Sequence, residues 1–109
     1  MGRFAIVAYR PEPGMERALL AAVDKHLAVL TAEGLVTERP AYVMRGADGA
    51  VVEVFEWRSA EAIRAAHDNE AVKALWAEFA AACDYTPLSE LPEARELFAE
   101  FEAIAPEAP

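Results

Sequence analysis

Residues 51–79, VVEVFEWRSAEAIRAAHDNEAVKALWAEF, decide the fold. The run 51–58 is extended in character, with β-branched and aromatic residues, and reads as a strand. Ser59 then stands where a helix N-cap belongs, and Glu61 is placed to favour the helix dipole. Asp68 and Asn69 interrupt the helix. Beyond them Val72, Leu75, Trp76, Phe79 and Cys83 recur at helical spacing. A strand passing through one cap into an amphipathic helical region is half of a layered α+β domain, with the helix stripe facing the sheet.

The other half lies upstream. Residues 3–9 alternate, Phe4, Ile6 and Ala8 against Ala5, Val7 and Tyr9, with both faces largely apolar; a central strand follows. Pro11 to Gly14 is a turn. Residues 15–33 form a long helix with Met15, Leu19, Ala22, Val23, His26 and Leu30 on one face, stopped by Gly34. Pro40 introduces a second strand at 41–45, and Gly46 to Gly49 connects it to the strand at 51–58. Tyr85-Thr86-Pro87 ends the second helical region, and residues 88–95 make a short helical turn. Residues 97–104 alternate again and are expected to be the fourth strand. The order is β-α-β-β-α-β. The expectation is an α+β fold, ferredoxin-like, with a four-stranded antiparallel sheet and both helices on one face. A single domain spans residues 1–105, and residues 106–109 form a disordered tail. The sheet face away from the helices also carries apolar residues, so a homodimer that covers it is expected.

The chain has 109 residues, of which 55% are hydrophobic, enough for one well-filled domain. Its formal net charge of -9 argues against nucleic acid, which is bound through Lys and Arg, and against an anionic membrane surface. No apolar run is long enough for a spanning helix. The opening segment holds too short an apolar stretch for a signal peptide, so a cytoplasmic protein is expected. A single cysteine, Cys83, excludes an internal disulfide and a cysteine metal cage. His26 and His67 have no metal-ligand spacing, and no phosphate loop, dinucleotide fingerprint or nucleophile elbow occurs. Neither a metal nor a cofactor is expected.

Few residues are left to carry chemistry. An imidazole exchanges its proton near neutrality, so His67 suits a general base that deprotonates a phenol or quinol; its structural role would be a cation at a helix end. Trp76 and Phe79 suit the aromatic wall of a planar ligand site, or else core. Glu53, between Val51 and Phe55 on one strand face, serves a site or pairs with a cation, for which Arg45 across the hairpin is the expected partner. His26, inside the first helix's apolar stripe, reads as a hydrogen-bonded histidine at the core edge. Cys83 on the second stripe reads as a small inert hydrophobe.

The element order, the size, and the pattern of Trp57, Ser59, Ala62, Ala66, His67, Leu75 and Trp76 resemble the antibiotic-biosynthesis-monooxygenase group of dimeric α+β barrels. The resemblance covers nearly the whole chain. It implies a dimeric barrel and a cofactor-independent oxygenase-like activity on a small aromatic, phenolic or quinol compound. A non-catalytic dimeric module that binds a small ligand is the competing implication. The polyketide oxygenases of that group place Asn, Trp and Tyr near the substrate, which carries over to Asn69, Trp76 and Tyr85. The haem-degrading branch has an asparagine in its first strand, and a tryptophan followed by the ligating histidine on its second helix. Here residues 3–9 lack asparagine, and His67 precedes Trp76, so no haem role is transferred.

Overall fold

The computed structural model describes residues 1–105; the tail expected at 106–109 lies outside the described residues. The chain runs β1 (Arg3–Pro11), α1 (Glu16–Ala32), β2 (Tyr42–Arg45), β3 (Val51–Trp57), α2 (Ala60–Ala66), α3 (Glu70–Ala82), β4 (Cys83–Thr86), two 3-10 turns (Leu88–Glu90 and Pro92–Arg95) and β5 (Glu102–Ala103). The strands make one antiparallel sheet of order β4-β1-β3-β2-β5. The described residues form a small α+β domain with three α-helices and a five-stranded sheet.

Local signals set the helix boundaries. Ser59 accepts a hydrogen bond from the Ala62 amide and starts α2. Asn69 accepts one from the Val72 amide and starts α3, so the break at Asp68-Asn69 is a second N-cap. Helix α1 ends where Gly34 turns left-handed (φ 72°), and the Leu35 amide reaches back to the Leu30 carbonyl.

Helices α1 and α3 pack on each other and on one sheet face. Leu19, Ala22, Val23, His26 and Leu30 are the buried side of α1, four or fewer residues apart throughout. They meet Tyr9 and Val51 at one end and Phe55 and Trp57 at the other. Val72, Leu75, Phe79 and Ala82 are the buried stripe of α3. This helix-side core fixes everything described below.

One expectation is corrected. Residues 97–104 are not the fourth strand. Only Glu102–Ala103 pairs, on the outer edge of β2, while Leu97 and Phe98 are 92% and 78% exposed. The strand beside β1 is Cys83–Thr86, which follows α3 without a loop. Its four residues are too few to show a period of two, and Cys83 also continues the helical stripe. The far sheet face is covered in part by the chain itself. The segment after β4 folds back under it, and Leu91 packs with Ala8, Ala50 and Val52, flanked by Met44, Val54 and Phe101. The carboxylate of Glu93 caps the Ala47 amide at 2.7 Å and so ties that segment to the hairpin between β2 and β3. Phe4, Ile6 and Tyr42 remain more than half exposed on the same face.

Phe79 and Leu75 are buried at the centre of the α3 stripe, whereas His67 is exposed at the end of α2. Phe79→Ala and Leu75→Ala are each expected to cost about 2–5 kcal/mol by urea denaturation. His67→Ala is expected to cost about 0.3–1 kcal/mol. A larger loss at His67 than at Phe79 would contradict this core.

Candidate functional site

A cavity of about 350 Å³ lies between the helix-side sheet face and the α1–α3 pair. The sheet supplies Ala5, Val7 and Tyr9 from β1, Phe55 and Trp57 from β3, and Tyr85 from β4. The helices supply His26 from α1 and Trp76 and Phe79 from α3. The strand residues come together because each lies two apart on its strand and so shares one face, and β1 is paired on both sides. Tyr9 stands opposite Val51 on one side and Tyr85 on the other. The walls are mostly aromatic. Tyr9 and Phe79 stack at 5.0 Å between centroids, and His26 meets Phe55 and Phe79 edge-on at 5.1 and 5.3 Å.

A buried polar cluster sits behind this wall. The Tyr9 hydroxyl donates to Glu53 Oε1 at 2.7 Å. His26 Nδ1 lies 2.9 Å from Glu53 Oε1 and 3.1 Å from Oε2. Glu53 is 1% exposed and does not itself line the cavity, but both of its partners do. His26 Nε2 has no hydrogen-bond partner among the described residues, which leaves it as the ring nitrogen available to a ligand. Burial, then the charge and hydrogen bond of Glu53, push the Tyr9 hydroxyl well above its ordinary value, so it remains protonated. Burial also raises Tyr85, and raises the Cys83 thiol to about 11.

The residues expected from sequence are divided by the structure. Trp76, Phe79 and Tyr85 line the cavity. Glu53 is beneath it, and its partners are Tyr9 and His26 rather than Arg45. Arg45 pairs opposite Val51 and reaches Glu16 and Glu102 instead. Asn69 is outside the cavity wall; its oxygen caps α3 and its amide donates to Glu33 at 2.8 Å. His67 is also outside. Its Nδ1 donates to the Ile63 carbonyl at 2.9 Å and its ring meets the edge of Trp76 at 5.2 Å. The histidine at the cavity is His26. Its sequence signal was a polar residue inside an apolar helical stripe, and the missing information was the anion waiting for it on β3.

Among the described residues, no group of three or more His, Cys, Asp or Glu side chains is placed to hold a metal ion. Among them, too, no helix is long and apolar enough to cross a membrane. No protein-family model, curated protein or solved structure matches this chain.

The raised tyrosines and thiol set an alkaline limit. A group whose folded pKa exceeds its unfolded one favours the native state while it holds its proton, and that advantage drains away once the unfolded chain ionises. For Tyr9 this begins near the ordinary tyrosine value of 10.0, and for Cys83 near 9.0. Denaturation stability is therefore expected to hold to about pH 8.5 and to fall steadily above it. In Tyr9→Phe the fall should be shallower above about pH 10, because phenylalanine has no proton to lose. The same slope in both proteins would place Tyr9 in water.

Proposed function

We propose that this protein binds a small planar hydroxyarene, a phenol or quinol, in the helix-side cavity and acts on it as a cofactor-independent oxygenase-like enzyme. One observation carries the reading: His26 lines an otherwise apolar aromatic cavity with one ring nitrogen backed by a buried carboxylate and the other unpartnered. A bare imidazole nitrogen in such a place is a general base with little competition from water. Among the described residues no Lys or Arg lines the cavity, and the Glu53 carboxylate lies beneath it, so an uncharged ligand is favoured over a carboxylate. Trp76 supplies a flat surface for the ring.

The reaction follows from removal of the hydroxyl proton to His26 Nε2. The resulting anion is electron-rich enough to reduce dioxygen. For a simple hydroxyarene, one ring carbon loses its hydrogen and gains oxygen, giving one quinone and one water per dioxygen consumed. This base replaces the one expected at His67. Within the five-stranded sheet the run β4-β1-β3-β2 supports a ferredoxin-like reading, and with it membership of the dimeric α+β barrels that the sequence resembles. A second reading, a binding module without turnover, is favoured by the scarcity of polar groups in the wall: the Tyr9 hydroxyl is already committed to Glu53.

Oxygen uptake over a panel of quinols and hydroxylated aromatics tests the enzyme. His26→Ala is expected to lower kcat about 10²–10⁴-fold, and Trp76→Ala to raise KM with less effect on kcat. His67→Ala should leave both near wild type. No uptake by the wild type across the panel would leave the binding module; loss of uptake in His67→Ala alone would return the base to α2.

We also propose a homodimer, formed through the far sheet face where Phe4, Ile6 and Tyr42 are exposed. Its interface is expected to reach about 2,000 Å² in total. Sedimentation at micromolar concentration should give twice the chain mass, and Ile6→Asp should give the single mass. A wild-type monomer would remove the assignment.

A further inference from the structure

We propose that Glu53, locked by Tyr9, is a positioning residue that keeps the His26 proton on Nδ1 and so presents Nε2 to the cavity as a bare lone pair. The inference deepens the reading of the cavity as a hydroxyarene site, and it names what the site selects: a ligand that donates a hydrogen bond at the histidine, not one that accepts there.

The protons are shared among five atoms: the Tyr9 hydroxyl oxygen, the two Glu53 carboxylate oxygens and the two His26 ring nitrogens. The Tyr9 hydroxyl lies 2.7 Å from Glu53 Oε1 and keeps its hydrogen, since burial and the neighbouring carboxylate both oppose its ionisation. It therefore donates, and Oε1 accepts. His26 Nδ1 lies 2.9 Å from Oε1 and 3.1 Å from Oε2. A carboxylic-acid hydrogen would sit on one oxygen and point from that oxygen alone. Near-equal distances fit an N–H shared between two accepting oxygens. Glu53 then accepts from both neighbours and carries no proton. A neutral imidazole has one N–H, so once Nδ1 holds it Nε2 has none.

The His26 ring hydrogen-bonds to Glu53 and packs edge-on against Phe55 and Phe79. Around it β1 offers Tyr9, β3 offers Glu53 and Phe55, and α3 offers Phe79. On β4, Tyr85 and Cys83 stand beyond Tyr9 and are both held protonated by burial. Lys25, the next residue on α1, is exposed and paired with Glu78 at 2.7 Å. The opposite arrangement, with a proton on Glu53 and an N–H at Nε2, would turn the cavity into a site for carbonyl or carboxylate oxygens. The tautomer thus decides the ligand class.

The test is side-chain ¹⁵N NMR of the ligand-free protein at about pH 8.5, above the ordinary imidazole range. The chain has two histidines, so His67→Asn assigns the spectrum. In the wild type, His26 is expected to carry its hydrogen on Nδ1, with Nε2 unprotonated. Glu53→Gln offers Nδ1 either an amide oxygen or an amide N–H. The Nε2–H form should then rise from under about a tenth to roughly half of the population. Tyr9→Phe leaves Glu53 in place and should keep the wild-type tautomer, which separates a tautomer effect from a general loosening of the core. A hydrogen on Nε2 in the wild type, alone or together with one on Nδ1, would overturn the proposal. So would a Glu53→Gln tautomer identical to wild type. If Glu53→Gln does not fold, the wild-type and Tyr9→Phe spectra decide. Because no ligand is present, the result stands apart from oxygen uptake: inactivity counts against the proposed reaction, a proton on Nε2 against the role of Glu53.

Discussion

The carboxylate of Glu53 is the constraint around which this domain is arranged. It is almost fully buried on the central strand β3, opposite Val7 on β1 and Val43 on β2, where an unpaired charge would cost several kcal/mol. Two donors make it tolerable, and they come from different elements: Tyr9 from β1 and His26 from α1. The three side chains therefore tie a helix to two strands at one depth and one register. A shift of β1 by a single residue would turn Tyr9 to the far face and leave the carboxylate short of a partner. The apolar core supplies most of the stabilisation, and the polar cluster makes one register acceptable.

The same cluster shapes the cavity. Tyr9 and His26 lean toward Glu53, and both also face the cavity that Phe55, Trp57, Trp76 and Phe79 surround. A site with one engaged histidine and aromatic walls can hold a flat apolar molecule and exchange one proton with it. Among the described residues its wall carries no Lys or Arg.

Much of the fold was legible in the sequence because its signals are local. The alternation of residues 3–9, the stripe of α1, Gly34, the cap at Ser59 and the break at Asn69 each act within a few residues. What was not legible is non-local. Cys83–Thr86 becomes a strand because β1 has a free edge there, which four residues cannot announce. Residues 97–104 alternate without a neighbour to pair with beyond Glu102–Ala103. The site divides in the same way. Trp76, Phe79 and Tyr85 were recognisable as aromatics on the right elements. The expectation of a base at His67 rests on the proton chemistry of an imidazole and on the family resemblance, neither of which shows what a histidine faces in the fold. His26, embedded in a core stripe, is the histidine that meets a buried anion 27 positions away in sequence.

The central claim is that His26 Nε2 is the atom that meets a bound hydroxyarene. The most direct measurement is a titration of the ¹⁵N-labelled protein with 2-naphthol, followed at the histidine side chains. A saturable shift is expected at His26 Nε2, with a small response at Nδ1 and none at His67. A saturable shift at His67 with His26 unmoved would contradict the claim.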